Sequence, residues 1–236
     1  MNKMERKFGR YAIPNLMYYI VILYAVGVLV QMMAPAFYIQ YLMLDARAIL
    51  HGQIWRVVTF MIWPPSGSLF FNLIAIYLYY NLGMTLERVW GTFRFNMYFI
   101  SGWFLNIVAA FILYGTLHSV QYLSGFQYIY WSMFFAFATI NPNMEFLFWF
   151  VIPIKVKWLA ILDAVYLLYN VFQYVTTGIA CINRGMTSVG GQYFSVAFAI
   201  LVAMANFLIY FFASRDYHRI SPSDIRRRQH FKKQVR

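Results

Sequence analysis

Six apolar segments, separated by polar or charged stretches, constrain the fold of this chain. They run from Asn15 to Met33, Leu69 to Leu82, Met97 to Tyr114, Phe126 to Ile140, Lys157 to Phe172 and Gln192 to Phe212. The first, third and sixth approach the roughly 20 residues that a membrane-spanning helix needs. The second, fourth and fifth are shorter, so we expect longer helices around them or extension by flanking residues. The pattern predicts an all-α membrane protein, a bundle of six transmembrane helices.

The composition indicates that a bilayer, rather than water, is the solvent. Hydrophobic residues make up 62% of the 236 residues and charged residues only 11%, whereas a soluble domain carries about 25% charged residues. The 22% aromatic content fits Tyr and Trp belts at the two membrane interfaces. Cys181 is the only cysteine, and no cysteine–histidine spacing indicates a metal site. We therefore expect no intrachain disulfide, no metal and no other cofactor.

Lysines and arginines orient the predicted bundle, because cytoplasmic loops carry an excess of them. With both termini inside, only Arg47, Arg56 and Arg184 lie outside. This asymmetry predicts cytoplasmic N- and C-termini, and it explains the net charge of +12 without a nucleic-acid partner. We divide the chain into a cytoplasmic N-terminus at 1–14, a membrane domain at 15–213 and a basic cytoplasmic tail at 214–236. The tail either anchors this topology or attracts anionic lipid.

Two motifs outside the apolar segments carry a resemblance to a known family. Trp55 and Arg56 form a Trp-Arg pair in the long loop between the first two segments. After the second segment comes an E-R-x-x-G-x-x-R-like pattern, formed by Glu87, Arg88, Gly91 and Arg94. With the stretch 150–159, these motifs make the chain similar to the rhomboid superfamily, which includes intramembrane serine proteases, inactive rhomboids and derlins. The resemblance covers roughly 55–212 and implies a six-helix rhomboid-like bundle.

Both motifs also have a plain structural interpretation. Trp55 at headgroup level, with Arg56 on phosphates or carbonyls, would form a generic interfacial anchor. Glu87 and Arg88 either tie the turn together through Arg94 or belong to a solvated turn.

Small residues recur every four positions in the sixth segment, at Gly191, Ser195, Ala199 and Ala203. Such a stripe lets a neighbouring helix approach closely. Rhomboids have a similar stripe here, with glycine at the first two positions. The stripe predicts that the sixth helix lies inside the bundle.

The resemblance also implies where catalytic residues would stand. Rhomboid proteases use a serine in a G-x-S-G motif that opens the fourth helix, and a histidine three residues before the first packing glycine of the sixth. Here the histidine position is Ser188 and the serine position is Gln127. The position of the oxyanion histidine is Ser68, four residues before the retained Asn72. Because a serine nucleophile needs a base, we expect these positions to be vestigial and the chain to be a pseudoprotease.

Two other features leave alternatives open. His118 and Ser124 lie on the same predicted outer side, six residues apart in sequence, and would form the catalytic pair if the chain were an active protease. Asp163 is an acid inside the fifth segment, a place where ionisable residues often serve function. It either bonds a neighbouring group and holds the helix, or belongs to a transporter.

The predicted function is therefore non-enzymatic binding of the transmembrane helices of other membrane proteins. The alternatives are an active rhomboid-family serine protease and a transporter or channel. The expected partners are membrane lipids and the transmembrane segments of client proteins, without nucleic acid or metal. A bacterial plasma membrane is the preferred location, with an internal eukaryotic membrane as the alternative.

Overall fold

A computed structural model describes residues 7–62, 68–117, 126–148 and 152–215. Long helices dominate this part of the chain. They are α1 (Leu16–Met33), α2 (Leu69–Trp90), α3 (Thr92–Leu117), α4 (Phe126–Ile140), α5 (Val156–Asn183) and α6 (Thr187–Arg215). Short helical pieces fill the connection between α1 and α2, at Pro35–Phe37, Tyr38–Leu42, Ala46–Leu50, Arg56–Thr59 and Phe60–Ile62.

Five of the described helices are long and apolar enough to cross a membrane. The helix α4 is the exception, because its 15 residues rise only about 22 Å. The second and fifth segments, predicted to be short, belong to helices of 22 and 28 residues. Polar side chains within both helices bond to their own backbone. The Asn81 side chain donates to the Tyr77 carbonyl and that of Asn170 to the Tyr166 carbonyl, at 2.7 and 2.8 Å.

The short helix α4 is buried within the bundle, where it packs against α2, α3, α5 and α6. Its fully or almost fully buried side chains are Ile129, Tyr130, Ser132, Met133, Phe135, Ala136, Phe137 and Ala138. The Tyr130 ring stacks on Tyr79 of α2, with 4.2 Å between centroids. It also lies 5.3 Å from the ring of Tyr24 on α1. Longer helices therefore surround α4, as expected for a short membrane helix.

The connection between α4 and α5 corrects the prediction of an all-α fold. The predicted bundle has only a connection at 146–154, between the fourth and fifth segments. Instead, β1 (Glu145–Phe148) and β2 (Ile152–Lys155) form an antiparallel pair with Glu145 opposite Lys155. Pro153 has no N–H to donate, and an edge strand tolerates this because part of its backbone has no partner strand.

Glycines bring helix pairs into close contact at two places. A Cβ at Gly83 of α2 would lie 2.0 Å from the Met17 side chain on α1. A Cβ at Gly190 of α6 would lie 2.9 Å from the Gly178 carbonyl oxygen on α5. At Gly190 the close atom is backbone, so a larger residue would push the helices apart, whereas at Gly83 the Met17 side chain would have to move.

Candidate functional site

The Trp-Arg pair holds the connection between α1 and α2 together. Arg56 is buried, and its guanidinium donates to the carbonyls of Met43, at 2.8 Å, and Gln40. Its Nε atom donates to Gln53 Oε1 at 2.7 Å. The Trp55 indole donates to the Tyr41 carbonyl at 3.0 Å. The pair therefore supplies donors to the backbone at 40–43, while the Trp55 ring remains 47% exposed.

This connection is also fastened to itself and to the helices. Thr59 donates to the Leu42 carbonyl at 3.0 Å, and Tyr38 donates to the Phe60 carbonyl at 3.1 Å. The Trp103 indole of α3 donates to the Val57 carbonyl at 2.9 Å. Burial raises the pKa of the Tyr38 phenol, and the nearby Arg56 charge offsets only part of that effect. Tyr38 is therefore a neutral hydrogen-bond donor.

The second motif forms the corner between α2 and α3. Gly91 separates the two helices with a positive φ of 83°, which glycine adopts without a steric cost. The buried Glu87 carboxylate accepts from the Asn15 backbone N–H at 2.9 Å. The Asn96 side chain donates to the Ile13 carbonyl at 3.0 Å. The corner thus clamps the segment that leads into α1.

The other two members of this motif lie at the same corner with greater exposure. Arg88 is exposed and Arg94 is half-buried. Glu87, by contrast, is only 7% exposed. Glu87 is therefore the buried member of the three charged residues in the motif.

The small residues of α6 lie inside the bundle. Gly191 is buried, and Ser195, Ala199 and Ala203 are at most 3% exposed. Ser195 donates to the Gln192 carbonyl of its own helix at 2.7 Å, which satisfies its hydroxyl without a second helix. The small residues leave room for α6 to pack against α3, α4 and α5.

The positions predicted for a catalytic apparatus have different surroundings from one another. Ser188 is exposed in the first turn of α6, and its hydroxyl makes no hydrogen bond within the described residues. Asn72 is 1% exposed and donates to Gln31 Oε1 at 3.4 Å. Ser68 is exposed directly before α2. Gln127 is the second residue of α4.

The proposed pair of His118 and Ser124 lies outside the described residues. His51 is the histidine within the described residues. It is exposed, and its Nδ1 lies 2.7 Å from the Arg47 carbonyl oxygen. That contact occupies one ring nitrogen in a local turn.

A buried polar network between α3, α4 and α6 did not figure in the sequence analysis. The Tyr98 phenol donates to the Ser132 hydroxyl at 2.7 Å. The Ser101 hydroxyl lies 2.8 Å from Asn206 Oδ1, and Asn206 Nδ2 donates to the Tyr98 carbonyl at 3.3 Å. The buried residues Tyr98, Ser132 and Asn206 and the half-buried Ser101 thus bond to one another inside the apolar bundle, which specifies how these helices fit together. The signal was available as polar residues within otherwise apolar segments.

The helix α5 is the least enclosed of the long helices. Only Val156, Leu167 and Gly178 of its 28 residues are buried. Many of its exposed side chains are large and apolar, among them Leu162, Val165, Leu168, Tyr169 and Phe172. Asp163 is half-buried on this helix, and its carboxylate has no hydrogen bond or ion pair within the described residues.

Comparison with protein families identifies one match. A family described as eukaryotic integral membrane protein (DUF1751) matches residues 15–195. The chain belongs to this family. The match begins where the predicted membrane domain begins and extends into α6, so it covers the Trp-Arg pair, the α2–α3 corner and all of α5. Comparison with curated proteins and with solved structures gives no match.

Membership of this family establishes a multi-pass integral membrane protein, in agreement with the five candidate spans. The family's description is eukaryotic. It therefore gives no support to the preferred bacterial plasma membrane and favours the alternative of a eukaryotic membrane. No group of three or more metal-ligating side chains occurs in the part of the chain that the structure describes.

Proposed function

We propose that this chain is a rhomboid-like, non-proteolytic membrane protein that binds the transmembrane segments of other membrane proteins. In this proposal the bundle crosses the membrane six times, with both termini in the cytoplasm. An internal eukaryotic membrane is the proposed location, and the family description supports the eukaryotic part of this proposal.

Six crossings require that α4 traverse the membrane despite its length. The surrounding helices make this feasible, because they replace lipid around almost the whole of α4. A helix about 22 Å long is shorter than the roughly 30 Å hydrocarbon core. Because longer helices separate α4 from most of the lipid, this mismatch falls inside the bundle rather than at its lipid boundary.

The exposure of α5 is the observation that carries the binding proposal. A helix with three buried residues in 28 has most of its circumference free for lipid or another helix. Within a membrane, helices associate through close packing and polar contacts rather than through the hydrophobic effect. The aromatic and branched side chains of α5 offer a broad, ridged surface for such packing.

The absence of proteolysis rests on the residues at the predicted catalytic positions. A hydroxyl at Ser188 cannot act as a base at neutral pH, and an amide at Gln127 does not attack a carbonyl. The alternative protease would need His118 and Ser124. The alternative transporter would need polar groups that change partners, whereas Tyr98, Ser101 and Asn206 satisfy one another in the α3–α4–α6 network.

Photo-crosslinking in vesicles tests the binding proposal. The purified protein is mixed with a single-span peptide of leucine and alanine that carries a photoreactive group at its centre. Adducts are expected to concentrate on the exposed face of α5 next to Asp163, at Leu162, Tyr166 and Tyr169. The exposed residues Ile100 and Phe104 of α3 serve as the matched lipid-facing control. Equal labelling of α5 and α3 would mean that the peptide meets the protein only by random collision, and would refute the proposal.

A further inference from the structure

We infer that one flank of α5 selects client helices that carry a lysine or arginine within the membrane, with Asp163 as the residue that receives the cation. This inference rests on the proposed function and names the chemistry of the partner. It begins from Asp163, a carboxyl group half-buried on a membrane helix without a hydrogen bond or ion pair among the described residues.

Gln173 and Thr176 are exposed on another side of α5, but three other polar residues share one flank of the helix. Asp163, Asn170 and Thr177 are spaced by seven residues, and all three are half-buried. Seven residues are close to two helical turns, so the three side chains form one flank. The flank of α5 that carries Ile161, Val165, Leu168 and Phe172 is exposed and apolar.

The polar flank offers acceptors for hydrogen bonds. Asn170 donates its side-chain N–H to the Tyr166 carbonyl at 2.8 Å, and its Oδ1 has no partner within the described residues. The Asp163 carboxylate is likewise an acceptor. The ring of Tyr166, between these two residues, stacks on Trp131 of α4 with 6.1 Å between centroids. The flank therefore lies on the side of α5 that meets α4, and its chemistry complements a cation or other donor.

The position of Asp163 indicates a cation on another helix. It is seven residues beyond Val156, or about 10 Å along the helix axis from the first residue of α5. Lys155 and Lys157 are both exposed at that end. No lysine or arginine of the described chain lies within the middle of a candidate span, so the described chain supplies no cation at the depth of Asp163.

A second copy of the chain is a poor occupant of this flank. Two copies related by a two-fold axis along the membrane normal would place residues of equal depth opposite each other. Asp163 would then face the same group, and two ionised carboxylates repel each other unless one of them takes up a proton. A client helix with a basic residue would instead be stabilised by Asp163, because a lysine or arginine in the membrane is costly without a partner.

Binding of two synthetic helices tests the inference. Both are single-span leucine–alanine peptides, and one carries a lysine about two turns from its cytoplasmic end where the other carries leucine. Energy transfer from the labelled, full-length protein to each peptide is measured in phosphatidylcholine vesicles. The lysine peptide is expected to bind about 3- to 30-fold more tightly, the range of a polar contact between membrane helices.

Three variants separate the contribution of the carboxylate from other effects. Asp163→Asn keeps the shape and is expected to abolish the preference for lysine. Asp163→Glu keeps the charge and is expected to retain it. Val165→Asn places a polar group on the other flank and is the matched control, which is also expected to retain the preference.

The outcomes distinguish this inference from the function on which it rests. Equal binding of both peptides to the native protein, above random collision, would overturn the selectivity and leave client binding standing. Failure of both peptides to bind would overturn both. A preference that survives Asp163→Asn, or that appears only when anionic lipid is added, would place the cation elsewhere and overturn the inference. Energy transfer between two copies of the protein that Asp163→Asn abolishes would assign the flank to a dimer and overturn it as well.

Discussion

The Glu87 carboxylate at the end of α2 accepts a 2.9 Å hydrogen bond from the backbone N–H of Asn15, a residue 72 positions earlier in the chain. Asn15 precedes α1 and has a left-handed backbone, with φ of 54°. Asparagine adopts this conformation more readily than most other residues. The bond therefore sets where α1 begins and how its first turn approaches the α2–α3 corner.

Loss of this bond should destabilise the fold. Glu87→Ala leaves the Asn15 N–H without its acceptor in a part-buried site, so we expect a loss of about 1–3 kcal/mol in the free energy of unfolding. Glu87→Gln keeps an acceptor oxygen and should lose less. Arg88→Ala, at an exposed neighbour, is the control and should have little effect. Reversible unfolding in detergent micelles measures these values, and equal losses for Glu87→Ala and Arg88→Ala would contradict the role of the clamp.

Replacement of Arg56 by either alanine or lysine should lower the stability of the protein. Its guanidinium donates to two backbone carbonyls and to Gln53 from one buried position. A lysine lacks the planar fork that reaches several acceptors at once. We expect Arg56→Lys to lose about 1–2 kcal/mol and Arg56→Ala more, because buried carbonyls lose their donors.

Proteolysis of the connection between α1 and α2 gives a local readout for Arg56. Both variants should be cleaved faster than the native protein in vesicles, between residues 38 and 59. Arg47→Ala, at an exposed arginine of the same connection, is the matched control. Unchanged cleavage of Arg56→Ala would show that the connection holds its shape without the guanidinium.

The contact between α5 and α6 should depend on Gly190. A Cβ there would lie 2.7 Å from the Ile182 side chain and 2.9 Å from the Gly178 carbonyl oxygen, and the second contact is with backbone that cannot rotate away. We expect Gly190→Ala to cost about 1–3 kcal/mol through overpacking. Gly115→Ala in α3 meets nothing within 4 Å and should gain up to about 1 kcal/mol from helix propensity. Thermal unfolding in micelles compares the two, and a loss of the same size in both would contradict the packing argument.

The apolar pattern predicted the bounds of a helix best where the residues next to that helix determine them. The fourth segment, from Phe126 to Ile140, coincides with α4, because polar residues flank it on both sides. The fifth was predicted to end at Phe172 and instead runs to Asn183, and Thr176 in the added part donates to the Gln173 carbonyl of its own helix. The β-hairpin was missed because its pairing joins two runs that were each too short to classify.

The sequence did not predict which residues that are far apart in the chain come into contact. Trp55 and Arg56 were recognised as a motif, but their acceptors at 40–43 depend on how the connection turns back on itself. Glu87 was expected either to tie its own turn together through Arg94 or to lie in a solvated turn, whereas it is buried and its bond reaches Asn15. Neither Ser132 nor Asn206 indicates a site by its position in the sequence, and only the fold brings them to Tyr98.

Both termini should be cytoplasmic. The basic residues that precede α1 and those of the tail outnumber Arg47, Arg56 and Arg184 on the other side, and such residues are retained on the cytoplasmic side. Reporter fusions before Met1 and after Arg236 should both report the cytoplasm. A fusion at Gly185, in the connection between α5 and α6, is the control and should report the opposite side. A non-cytoplasmic signal from either terminus would contradict six crossings.

The purified protein in lipid should leave synthetic transmembrane substrates intact and resist fluorophosphonate probes. Hydrolysis by a serine needs a base to take its proton and donors to hold the oxyanion. The base position is Ser188 and the oxyanion histidine position is Ser68, and neither hydroxyl replaces an imidazole at neutral pH. One error in matching the chain to the rhomboid pattern would not explain Ser188, Ser68 and Gln127 together. Ser124→Ala and His118→Ala test the remaining route. Labelling of the native protein that either substitution abolishes would establish an active protease, whereas labelling that neither affects would indicate reaction at an unrelated hydroxyl.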